Sequence, residues 1–154
     1  MNMERLANAT LEKRAEAFRQ SALRINLDPK VVEKDYWPCW TLKMLLFLTI
    51  YGMHLTFKGG SSLSKAYDII KRFSKDMDMT MDRALLGFGG DNDPAHPDLS
   101  NKKRKRLLED LQDAARNFVS GPLLAEALKV FNANLKHEFA LEVDPADGQT
   151  IVSR

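Results

Sequence analysis

Apolar side chains recur every third or fourth position at Ala7, Leu11, Ala15, Phe18, Ala22 and Ile25, with Glu12, Lys13, Glu16 and Arg19 between them. That period predicts an amphipathic helix packed on one face. Asp28-Pro29 then supplies a helix start, a side-chain oxygen at the N-cap followed by a residue with no N–H to leave unpaired. The helix predicted from Pro29 toward Tyr51 turns apolar nearly all round after Trp40, which marks it as the buried one. Pro38 lies inside it, removing one backbone bond and clashing with the carbonyl four residues back, so a kink or two abutting helices are expected.

After Gly52 the period changes. Leu55, Thr56 and Phe57 predict a short strand, Gly59-Gly60 breaks it, and helical spacing resumes from Ser61 through Leu63, Tyr67 and Ile70. From Asp76 to Asp82 the chain alternates Asp76, Asp78, Thr80 and Asp82 with Met77, Met79 and Met81, the period of a strand with one buried and one acidic face. Residues Gly87 to Ser100 are rich in Gly, Asp, Asn and Pro and read as a surface loop. Two helices follow, one with the stripe Leu107, Leu108, Leu111, Ala114, Ala115 and Phe118, the other opened by Pro122 with Leu124, Ala127, Leu128, Phe131 and Leu135. Last, Phe139, Leu141 and Val143 alternate with acids, and Asp147-Gly148 turns the chain into Thr150 to Val152, a predicted hairpin.

These elements predict an α/β (α+β) protein: a single domain over residues 1–154, helical over 1–51, with sheet and helices over 52–154. The 23 basic and 21 acidic residues leave a net charge of +2, with 29% charged and 44% hydrophobic positions. That balance excludes a disordered chain and a strongly polycationic nucleic-acid binder. Cys39 is the only cysteine, which excludes a disulfide framework and a multi-cysteine zinc site. The longest greasy stretch, Met44 to Tyr51, falls far short of the ~20 residues of a spanning helix, so a soluble, cytoplasmic protein without a membrane partner is expected.

The strongest constellation is Lys58-Gly59-Gly60-Ser61-Ser62 at a strand-to-helix turn, followed by Asp76-Met77-Asp78 on a strand. Two glycines let the backbone approach a ligand closely, and the first N–H groups of the next helix with the Ser61 hydroxyl suit a phosphate. Residues two apart on a strand share a face, so Asp76 and Asp78 aim at one point. Paired carboxylates beside a phosphate cradle suit Mg2+, a hard cation bound by one or two carboxylates plus substrate phosphates. Together they point to metal-assisted phosphoryl or nucleotidyl transfer. Asp82 lies on the same face but about four residues past Asp78, too far along to share the ion.

The stretch from Phe57 through Lys58-Gly59-Gly60-Ser61-Ser62 to Tyr67, and then Arg72-Phe73-Ser74-Lys75-Asp76-Met77-Asp78, resembles the signature of the AbiEii/AbiGii-type nucleotidyltransferase toxins. Val32-Glu33-Lys34-Asp35-Tyr36-Trp37 upstream and Leu141-Glu142-Val143-Asp144-Pro145 downstream are similar to the same family. The resemblance implies a DNA polymerase β-like mixed sheet flanked by helices and Mg2+-dependent transfer of a nucleotide from an NTP. It implies that Gly60 and Ser61, beside Gly59, hold the triphosphate and that Asp76 and Asp78 bind metal. It also implies a bacterial toxin–antitoxin or phage-defence (abortive-infection) role, an antitoxin encoded alongside, and tRNA as an acceptor in related members. Lys75, Met77, Met79 and Pro38 depart from the family pattern. Family members are longer, and their third metal-site carboxylate is expected beyond Arg154, so the chain reads as the N-terminal part of a longer architecture. Glu142 and Asp144 can substitute only if their strand lies beside Asp76 to Asp82.

The competing reading is a catalytically silent, truncated toxin domain acting as a protein-interaction module, self-association included. Lys102 to Arg106, five consecutive cations at a helix start where the macrodipole prefers anions, adds a weaker pointer to an anionic partner such as RNA. Asp91, Asp93 and Asp98 lack the ligand spacing of a calcium loop. His54, His96 and His137 show no metal-pair spacing, and Trp37 and Trp40, three apart, read as core.

Overall fold

Capping side chains set the helix boundaries. In the computed structural model, which describes residues 2–58 and 77–153, the Asn2 side chain accepts from the Arg5 N–H to open α1, Met3–Ala7. Thr10 does the same for α2, Leu11–Ile25, and Asn26 closes that helix in the left-handed conformation at φ 53°. The single helix expected from Ala7 onward is therefore two. The step of four from Ala7 to Leu11 keeps the apolar rhythm across the break, while Thr10 captures the Lys13 N–H and starts a new helix.

Asp28 accepts from the Lys30 N–H at 2.7 Å and opens α3, Pro29–Lys43. This helix runs uninterrupted through Pro38, so the expected division into two helices is not found. The carbonyl that Pro38 frees belongs to Lys34, an exposed position where solvent can supply the missing partner. The irregularity falls later, in a π-helical turn over Met44–Leu48. Buried Thr49 closes that turn by donating its hydroxyl to the Leu45 carbonyl at 2.5 Å. Gly52 follows where a Cβ would meet the Leu46 carbonyl oxygen at 2.1 Å, so the chain passes there only as glycine.

Strand β1, Leu55–Lys58, pairs with β2, Asp78–Met81, in one two-stranded sheet. A 3₁₀ turn, Arg83–Leu86, and the loop before Ser100 lead to α4, Asn101–Phe118. A π-helical turn, Val119–Leu123, carries α4 into α5, Leu124–Asn134, without a break. The two helices expected there are joined because the turn absorbs Gly121 and Pro122, and the Ser120 hydroxyl donates back to the Arg116 carbonyl at 2.8 Å. Strands β3, Leu141–Val143, and β4, Ile151–Ser153, form the expected antiparallel hairpin, with Glu142 opposite Val152. Gly148 turns it at φ 70°. The chain is thus of the α+β class, with its described strands in two separate two-stranded sheets. Among the described residues no helix is long and apolar enough to cross a membrane.

The chain divides into two compact units, one of Met1–Thr80 with Val130–Glu138, the other of Met81–Lys129 with Phe139–Arg154. In the first, Phe18, Ala22, Trp40, Leu42, Met44, Leu55, Val130 and Phe131 are buried. Ring contacts run through it from Phe18 to Tyr36 at 5.4 Å, Tyr36 to Trp37 at 5.1 Å, Trp37 to Trp40 at 6.1 Å and Trp40 to Phe131 at 5.0 Å. The Arg14 guanidinium lies over Trp37 at 5.6 Å and donates to the Ala7 and Ala9 carbonyls, tying α1 to α2. In the second unit Phe118, Leu123 and Ala127 are buried, and Arg116 donates to the Asp147 carbonyl at 3.2 Å, holding the hairpin turn.

Candidate active site

Of the alternation read from Asp76 to Asp82, β2 carries Asp78–Met81. Asp78 and Thr80 face solvent, while Met79 and Met81 are half-buried on the other side. Two adjacent positions on opposite faces of a pleated strand cannot both reach the core, and methionine outcompetes carboxylate for the apolar side. The result is an exposed face that begins with a carboxylate. Asp78 has no hydrogen-bond or ion-pair partner among the described residues. In donor chemistry this half of the predicted pair fits a hard cation such as Mg2+.

Its sheet partner β1 ends at Lys58, an exposed residue immediately before Gly59. The structure thus brings the strand that ends immediately before Gly59 and the strand that carries Asp78 into one sheet. Gly59, Gly60, Ser61 and Asp76 themselves lie outside the described residues.

Asp82 has a different task. Its carboxylate accepts from the Ala84 N–H at 2.9 Å and caps the 3₁₀ turn that follows β2. Aspartate at an N-cap was the available sequence signal, and the strand period masked it. Among the described strands β3, which carries Glu142, pairs with β4, and β2 pairs with β1. Asp144 is occupied within its own turn, accepting from the Ala146 N–H at 2.8 Å.

The remaining candidates resolve as structural. Asp93 accepts from Arg83 at 2.7 Å and from the Ala95 N–H at 2.8 Å. The Ala95 N–H above all, with the Arg83 guanidinium, holds its carboxyl below the ordinary range. His137 hydrogen-bonds the Ala9 carbonyl at 3.1 Å, and His96 faces Asp98 at 3.9 Å. Trp40 is core, while Trp37, in ring contact with it, is half-buried. Arg104 is the residue whose role the sequence did not disclose: it donates to the His96 carbonyl at 3.2 Å and ties the start of α4 to the preceding loop.

No curated protein and no solved structure matches the chain. A protein-family model does, over residues 40–151 of the 154. Its description is the nucleotidyl transferase AbiEii toxin of type IV toxin–antitoxin systems. The match takes in β1, Gly59 to Ser61, Asp76, Asp78 and β3, ends at the first residue of β4, and leaves the Val32 to Trp37 stretch outside it. The chain belongs to the AbiEii nucleotidyl transferase toxin family.

Proposed function

We propose that the chain is a metal-dependent nucleotidyl transferase that moves a nucleotide from an NTP to an RNA acceptor such as tRNA, as the toxin of a cytoplasmic toxin–antitoxin pair serving phage defence. The observation that carries this reading is the exposed Asp78 carboxylate, which has no hydrogen-bond or ion-pair partner among the described residues, on a strand paired with the one that leads to Gly59. Gly59, Gly60 and Ser61 receive the triphosphate, whose oxygens accept from backbone N–H groups and the Ser61 hydroxyl. Asp76 and Asp78 hold the metal. When bound, Mg2+ neutralises the phosphate charge that builds as the bond to pyrophosphate breaks. An acceptor hydroxyl forms the new bond to the α-phosphorus, and pyrophosphate leaves. The chain's own residues contribute position and charge, which supply most of the rate in such transfers. The proton of the acceptor hydroxyl passes to solvent.

A transfer assay tests this: α-labelled NTPs and total RNA, with the chain as it stands and with a version extended past Arg154. Label entering RNA only with Mg2+, and lost in Asp76→Ala, is the expected result. Absence of label with both versions overturns it.

A second reading, a protein-interaction module whose partner is an antitoxin or another copy, is favoured by Phe47 (77% exposed), Leu48 (45%), Ile50 (67%) and Met53 (86%), four large apolar side chains within one short stretch. Association that survives loss of both carboxylates supports it. A strictly monomeric chain that captures no partner removes it.

A further inference from the structure

The five cations from Lys102 to Arg106 are not used by the proposed transfer chemistry. They open α4, the 18-residue helix whose first turn has no acidic residue. One of them is structural: Arg104 reaches back to the His96 carbonyl, and its backbone N–H bonds the Ser100 carbonyl at 2.9 Å. Ser100 also caps the helix, accepting from the Lys103 N–H at 3.2 Å. The base of the cluster is therefore fixed to the loop before it.

The other four point away. At about 100° per residue, Lys102, Lys103, Lys105 and Arg106 fan over an arc of roughly 160° opposite Arg104, and all four are exposed. Their only ion pairs among the described residues are loose: Lys105 to Glu109 and Arg106 to Asp110, each at 3.9 Å and on the helix surface. Both run cation before acid, the weaker orientation along a helix. Lys102 and Lys103 have no ion-pair partner among the described residues. Crowding like charges at the positive end of a helix is locally unfavourable, and an arriving polyanion relieves it. The face from 102 to 110 has no aromatic side chain, and its one exposed large apolar residue is Leu108. A protein partner would need such anchors, whereas a phosphate backbone needs only charge.

We infer that Lys102, Lys103, Lys105 and Arg106 of α4 form a docking surface for the phosphate backbone of RNA. The choice of RNA rests on the proposed transfer to an RNA acceptor; the polyanionic character of the ligand rests on the surface itself.

The test measures anisotropy of a fluorescein-labelled, mixed-sequence single-stranded RNA with the full chain across a salt series, without NTP. The variant Lys102→Glu/Lys103→Glu is compared with Lys13→Glu/Arg24→Glu, two exposed cations of α2 that give the same change in net charge. The α4 variant should bind at least tenfold more weakly, with the log–log salt slope shallower by about 1.4, two lost phosphate contacts on a single strand. The α2 variant should stay within twofold of the parent. Placing acids in the first turn of α4 favours the helix, so the α4 variant should melt no lower than the parent, which separates lost binding from lost folding. Equal losses in both variants, no loss in the α4 variant, or competition by polyglutamate as strong as by RNA overturns the inference. Asp76→Ala/Asp78→Ala keeps RNA binding if the inference holds, whether or not transfer is ever observed, so the two proposals fail separately.

Discussion

Asn8 and Asn134 lie 126 positions apart and are joined by one hydrogen bond, the Asn8 amide donating to the Asn134 carbonyl at 2.8 Å. The same amide donates to the Glu4 carbonyl, and its oxygen accepts from the Lys136 N–H at 2.7 Å. One part-buried side chain thus links the end of α1 to the end of α5, satisfying backbone groups that both helix ends leave open. Asn8→Ala should destabilise the fold by about 1–3 kcal/mol, because the groups it serves lose their partners. Urea unfolding measures this, and a change too small to resolve would show the link to be ornamental.

Gly52 is fixed by the backbone of the preceding π-helical turn. Gly52→Ala sets a methyl group against the Leu46 carbonyl and should destabilise by about 1–3 kcal/mol or more. Gly121 is the matched control, since a Cβ there meets nothing within 4 Å. Gly121→Ala should be neutral or stabilise by up to about 1 kcal/mol. Thermal melts of the two variants should move in different directions or differ widely.

Trp40 is 1% exposed, yet its indole N–H has no acceptor among the described residues. Trp40→Ala opens a large cavity against Phe131 and should destabilise by about 3–5 kcal/mol. Trp40→Phe keeps most of the packing and deletes the orphaned donor, so its loss should be less than half as large. Equal losses in chemical denaturation would mean that the N–H is satisfied in solution.

The Tyr36 hydroxyl donates to the Met3 carbonyl at 2.6 Å, and burial pushes its pKa from 10.0 up to about 12. A phenol that ionises later in the folded than in the unfolded chain stabilises the fold fully below pH 10. That contribution is lost as the pH rises from 10 toward 12. Tyr36→Phe should flatten this alkaline decline and remove a step near pH 12 from an ultraviolet titration of the tyrosines.

Strand and cap chemistry was readable because it is local. Met79 and Met81 against Asp78 and Thr80 fix the face of β2, Asp28 before Pro29 fixes the start of α3, and Asp147-Gly148 fixes the hairpin turn. What escaped depended on one-residue events or distant partners. The break at Thr10 preserves the apolar spacing around it. The π-helical turns at Met44–Leu48 and Val119–Leu123 widen the backbone locally without altering the sequence rhythm. Asp82 carries the residue type of both a strand face and a cap, and only the Ala84 N–H decides between them. In the candidate site the same division holds: Asp78 and the approach to Gly59 were legible from period and spacing, while the partners of Asp144 and Arg104 required the fold.

NTP binding by the full chain, followed by calorimetry with and without Mg2+, bears most directly on the role of the carboxylates. The parent chain should bind an NTP only when Mg2+ is present, and Asp78→Asn, which changes an exposed side chain with no fold partner among the described residues, should abolish the Mg2+ dependence while leaving the melting temperature in place. Binding that is the same in the parent and in Asp78→Asn would contradict the account.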